Sequence, residues 1–158
     1  MNHDQQLRRQ LVKSMDWNEA HADFSAAVKN MPAELQGPVP PGLTHSAWQL
    51  LEHIRIALWD ILEFSRNARH KSPKWPEGYW PKDPAPHGEK AWEKSVKAIH
   101  EHLAEMGDLV TDPKNDLYAP IPHGDGQTLL RQALLIADHN AYHVGELVLT
   151  RRALGAWK

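Results

Sequence analysis

The stretch Leu129-Leu130-Arg131-Gln132-Ala133-Leu134-Leu135-Ile136-Ala137-Asp138-His139-Asn140-Ala141-Tyr142-His143-Val144-Gly145-Glu146-Leu147-Val148-Leu149-Thr150 decides the fold. It has no proline and no strand-like alternation, so it reads as one long helix. Its natural bounds are residues 127–153, with Gly155 as the C-terminal cap. On a helical wheel Leu130, Ala133, Leu134, Ala137, Ala141, Val144 and Val148 share a broad apolar face. The opposite side is not a charged, solvated one. Gln132, His139, His143, Glu146 and Thr150 form a narrow polar stripe flanked by Leu129, Leu135, Ile136, Tyr142, Leu147 and Leu149. Such a stripe faces the interior or a cleft, where polar groups must find partners.

Working outward, prolines divide the rest of the chain into three more segments of helical pattern. Residues 4–30 carry Trp17, Ala20, Phe24, Ala27, Val28 and, just beyond, Met31 at spacings of three and four, and predict one helix. The run from Gly37 to Gly42, with Pro38, Pro40 and Pro41, follows it. Residues 44–67 carry the stripe Leu50, Leu51, Ile54, Leu58, Ile61 and Leu62, and Ser46 with Gln49 fits a capping box. Residues 88–110 carry Trp92, Val96, Ile99, Leu103 and Met106, and Asp112-Pro113 stops them. Between the second and third segments, residues 72–86 hold five prolines together with Trp75, Tyr79 and Trp80. Prolines forbid a helix interior there. Aromatic rings are costly to leave in water, so this connection is expected to be ordered and packed across the body. The reading is all-α, a four-helix bundle forming a single domain over residues 1–158.

Composition excludes several classes. The chain has 158 residues and no cysteine, which removes disulfides, thiolate metal sites and cysteine nucleophiles. A net charge of −2 offers no basic face for nucleic acid. No run approaches the roughly 20 apolar residues of a membrane span, so no membrane partner is expected. The first residues carry no apolar core, and the expectation is a soluble, cytoplasmic protein.

The chemistry gathers on histidines, of which there are eleven. His139 and His143 stand at i and i+4, one turn apart on one side of the last helix and within reach of a shared ion. Imidazole suits zinc, nickel, copper or iron(II), and a third ligand would complete a site with open positions. The spacing alone leaves a satisfied histidine pair equally open. His53, in the middle of the second segment beside its apolar stripe, is the best third candidate. Asp60, seven residues on, could orient a ligand or add a carboxylate. His3 and His70, near segment ends, and His45, His87 and His123, at loop–helix junctions, look less useful. His100 and His102 face different ways, and His21 reads as a core histidine. Asn140 follows His139, so the His-Glu-x-x-His metalloprotease pattern is absent. Glu52-His53 and Glu101-His102 are adjacent, which does not suit a di-iron bundle.

Three blocks resemble the DinB-like superfamily of metalloenzymes: Ser46-Ala47-Trp48-Gln49-Leu50-Leu51-Glu52-His53-Ile54-Arg55, Trp75-Pro76-Glu77-Gly78-Tyr79-Trp80-Pro81, and Ala137-Asp138-His139-Asn140-Ala141-Tyr142-His143-Val144-Gly145-Glu146-Leu147. The resemblance covers essentially the whole chain, the last block being the most specific. It implies a bundle of down-up-up-down connectivity, often a homodimer. It also implies a divalent ion, commonly nickel or zinc, held by His53, His139 and His143. Characterised relatives include transferases and isomerases that use a low-molecular-weight thiol. The expected function is therefore a small-thiol-dependent S-transferase acting on a small-molecule substrate, with Asp60, Tyr142 and Glu146 placed to support the site. Two alternatives stay open. One is a metal-dependent hydrolase. The other is a non-catalytic bundle whose small residues Ala133, Ala137, Ala141 and Gly145 suit a dimer or partner interface. Trp75, Tyr79 and Trp80 either cover the ligand cleft or simply pack over the bundle end.

Overall fold

The computed structural model describes residues 2–16, 19–88 and 90–157. Among the described residues five α-helices form: α1 (His3–Ser14), α2 (Phe24–Val28), α3 (Ala47–Arg66), α4 (Ala91–Thr111) and α5 (Leu129–Ala153), with a short 3-10 turn at Ala33–Leu35. Among the described residues no β-strand forms. α3 packs against both α4 and α5, and α1 packs against the same two helices.

The helix most faithful to its sequence is α3. Ser46 Oγ accepts the amide of Gln49 while the Gln49 side chain accepts the amide of Ser46, a complete capping box. All six residues of its expected stripe are buried. They meet Trp92, Ile99, Met106 and Val110 of α4 and Ala133, Ile136, Val144 and Leu147 of α5 in one continuous core. Each fully buried Leu or Ile there contributes roughly 1.5–3 kcal/mol.

Two expectations are corrected. The single helix over residues 4–30 is in fact two helices, α1 ending at Ser14 and α2 starting at Phe24. Asp16 Oδ1 accepts the Phe24 amide eight residues on, and Asp23 caps α2 by accepting the Ala26 amide. Short carboxylates bond backbone amides outside helices and so compete with helix continuation. Asn140 of α5 takes up the Met15 carbonyl just past the end of α1. Ala20 and His21 fall in the break and are exposed, so His21 is not a core histidine. Trp17 lies outside the described residues.

The second correction concerns the broad face expected on α5. Ala133, Val144 and Val148 are buried, but Leu134 is 51% exposed and Ala141 is exposed as well. The buried side runs instead through Gln132, Ile136, Asn140, His143, Leu147 and Thr150. Apolar residues occupy nearly the whole circumference of this helix, so the wheel has little contrast to locate its core side. The polar stripe itself does turn inward.

Two buried arginines close helix ends from a distance. Arg8 of α1 donates to the carbonyls of Val110, Asp112 and Asn115 at the C-terminus of α4. Arg151 of α5 donates to Ala27 in the last turn of α2 and to Ala156. Each guanidinium satisfies carbonyls that the helix leaves orphaned and sits at the negative end of its dipole.

Residues 72–86 form an ordered strap across α3. Its turn requires Gly78, whose amide donates to Lys74 O at 2.7 Å and where a Cβ would collide with Pro73 at 2.6 Å. Tyr79 and Trp80 are half-buried, whereas Trp75 is 67% exposed. No helix among the described residues is long and apolar enough to cross a membrane.

Candidate metal centre

His53 is held mid-helix on α3, and His139 and His143 lie one turn apart on the inward stripe of α5. Because α3 and α5 pack directly together, the three rings meet. His53 Nε2 lies 3.0 Å from His143 Nε2 and 3.1 Å from His139 Nε2. One ring nitrogen from each of the three falls within 4.8 Å of the others, so the group could hold a metal ion.

The surroundings fix which nitrogens face each other. His53 Nδ1 lies 3.0 Å from the Tyr79 backbone carbonyl, which can only accept, so Nδ1 carries the hydrogen. His143 Nδ1 lies 2.7 Å from Glu146 Oε2, and the carboxylate makes the same demand. A neutral imidazole with a hydrogen on Nδ1 has a bare lone pair on Nε2. Two such bare nitrogens therefore lie 3.0 Å apart with no hydrogen between them. That contact is repulsive with nothing between them, and a cation turns it into coordination. Imidazole–metal bonds of about 2.0–2.1 Å accommodate this separation at one ion.

A proton is poorly suited to be that cation. Burial, then the neighbouring His143 and His53, push His139 down to about 3. Burial, then His53 and His45, push His143 down to about 4. Burial lowers His53 too, against the pull of the Tyr79 carbonyl. The rings thus stay uncharged near neutral pH, the form that binds a metal. A stability consequence follows for the metal-free chain. The unfolded histidines take up protons from about pH 6.5 downward, whereas the folded ones do not. Stability is therefore full above pH 6.5 and falls progressively toward pH 3. Thermal melts of stripped protein against pH measure this slope, and His139→Asn should flatten it.

Around the three rings the structure places residues that the sequence ranked low. Trp80 stacks on His53 at 3.8 Å and 3°, and on His45 at 3.9 Å and 11°. Two rings parallel to a third at the same distance lie on its opposite faces, so the indole is sandwiched between two imidazoles. The strap thus packs directly against the site. His70, set aside as near an end, donates its Nε2 hydrogen to Asp60 Oδ1 at 2.7 Å, and the Tyr79 hydroxyl donates to Asp60 Oδ2 at 2.6 Å. Burial and the Asp60 carboxylate push the Tyr79 hydroxyl up to about 12, so it stays a donor. Asp60 is not in the three-histidine group; it grips the strap. Glu146 sits directly behind His143. Tyr142 meets the His143 ring edge-on at 4.9 Å but is itself 65% exposed. His100 is exposed, and His102 is half-buried in another part of the molecule. The Tyr79 carbonyl was out of reach of sequence reading, since a backbone acceptor has no residue signature. His45, next to the N-cap and opposite the aromatic strap, was the position that sequence could have raised.

Comparison with curated proteins gave no match, and neither did comparison with solved structures. The family model of the DinB superfamily matches residues 16–147, a span that takes in the break after α1, the strap and all three clustered histidines. On that match, the chain belongs to the DinB superfamily.

Proposed function

We propose that the chain is a divalent-metal-dependent enzyme in which His53, His139 and His143 hold the ion, and that it transfers a small thiol to an electrophilic substrate. The observation that carries the metal is the close approach of two hydrogen-free Nε2 atoms, their tautomers set by Tyr79 O and Glu146. Three neutral imidazoles leave an ion its full charge, and nickel or zinc so held acts as a Lewis acid that acidifies a thiol or water beside it. The chain's own part is to keep the rings unprotonated, to aim their Nε2 atoms at one point, and to shield one face of His53 with Trp80. With no cysteine in the chain, a sulfur nucleophile would come from outside. In the transfer the thiol gives up its proton to solvent, sulfur forms a bond to the electrophilic carbon, and the bond from that carbon to the leaving group breaks, the leaving group taking the electron pair into solvent.

Glutathione with chlorodinitrobenzene is a direct probe. Thioether formation, followed by absorbance, should disappear when a chelator strips the protein and return when nickel or zinc is restored. Turnover that survives stripping overturns the mechanism. Metal-dependent ester cleavage without thioether formation would favour a hydrolase. The non-catalytic alternative draws on the outer face of α5, where Leu134, Tyr142 and Leu149 are exposed around Ala141 and Gly145. A stable dimer that purifies without metal would favour it.

A further inference from the structure

We propose that Asp60 is a positioning residue of the metal centre, acting on His53 through Tyr79. This rests on the reading that the three histidines hold an ion. Asp60 lies two turns beyond His53 on α3, and it is buried. A carboxylate at such a place is expensive, and an apolar side chain would pack there at no cost in desolvation. Both of its oxygens are committed. Oδ2 takes the Tyr79 hydroxyl at 2.6 Å, and Oδ1 contacts His70 Nε2 at 2.7 Å. His70 in turn packs against Trp59 in a T-shaped contact, with ring centroids 5.0 Å apart at 87°, so the carboxylate is braced on both sides.

Tyr79 is therefore held at two ends. Its hydroxyl is anchored by Asp60, and its backbone carbonyl receives the Nδ1 hydrogen of His53. One residue of the strap thus links a buried carboxylate to the orientation and tautomer of a ring that faces the centre. Partners of this kind behind a ligating histidine typically alter metal affinity by about 10–100-fold when they are lost. Trp80 packs on the face of the same ring and resists tilting, whereas the Tyr79 carbonyl sets its rotation in plane.

The test uses full-length chain stripped of metal and titrated with cobalt(II) against a chromophoric chelator. Tyr79→Phe removes the hydroxyl and leaves the carbonyl in the chain. Asp60→Asn keeps the shape and removes the charge, and it serves if Tyr79→Phe fails to fold. Each is expected to weaken cobalt binding by about tenfold or more and to shift its ligand-field absorption. The double variant should bind no more weakly than the worse single one, because both act through one link. If the parent binds cobalt and both variants bind it equally well with an unchanged spectrum, while only the melting temperature of the metal-free chain falls, the positioning role is overturned and Asp60 is a structural anchor. Additive losses overturn it also. A parent that binds no cobalt overturns the metal reading itself, and the positioning role with it.

Discussion

His139→Ala, purified without an affinity tag, is expected to retain no metal where the parent retains a stoichiometric ion. Loss of one ring leaves two nitrogens 3.0 Å apart on different helices, too few to hold a divalent ion against competition from solvent. Elemental analysis reads the first effect. A second readout is thermal: an ion at about a thousand times its dissociation constant stabilises the folded chain by about 4 kcal/mol. For a domain of this size that raises Tm by roughly 10 °C. The variant should show no such rise when nickel or zinc is added. Its metal-free form should melt no lower than the metal-free parent, because the substitution removes one of three crowded, desolvated rings. A variant that still takes up the ion with the parent's affinity would overturn the site.

The second large effect lies far from the histidines. Arg8→Ala should cost about 3 kcal/mol, because it strands the buried carbonyl of Val110 at the end of α4 and removes the donors to Asp112 and Asn115 just beyond it. Tm is expected to fall by roughly 10 °C. Arg8→Lys should recover only part of this, since an ammonium cannot reach three carbonyls in the fork that a guanidinium presents. Metal binding by the folded fraction should be unchanged. Equal melting of Arg8→Ala and parent would show that solvent satisfies these carbonyls without the arginine.

How far the sequence carries depends on where each signal resides. α3 was legible because its cap and its apolar stripe are both local signals and agree. The break after α1 was not, because Asp16 acts on the Phe24 amide across a turn, and no periodicity announces such a bond. The inward turn of the polar stripe on α5 was legible, since such groups need partners. The core side of that helix was not, because leucines occupy both sides of it. At the centre, the spacing of His139 and His143 is local and was visible. The meeting with His53 depends on the packing of α3 against α5, and spacing within one helix carries nothing of that. Only the resemblance to the DinB-like superfamily implies it. Arg8 and its carbonyls are separated by more than a hundred residues, and nothing local marks the pairing.

One small feature of α3 ties these threads. The Ser46 hydroxyl that accepts the Gln49 amide also donates to Pro84 O, and the Gln49 side chain donates to Pro81 O. The group that nucleates the helix is thus the same group that fastens the far end of the aromatic strap. Fraying of that first turn and lifting of the indole away from the imidazoles become a single cooperative event, so the centre's wall is as durable as the start of the helix beneath it.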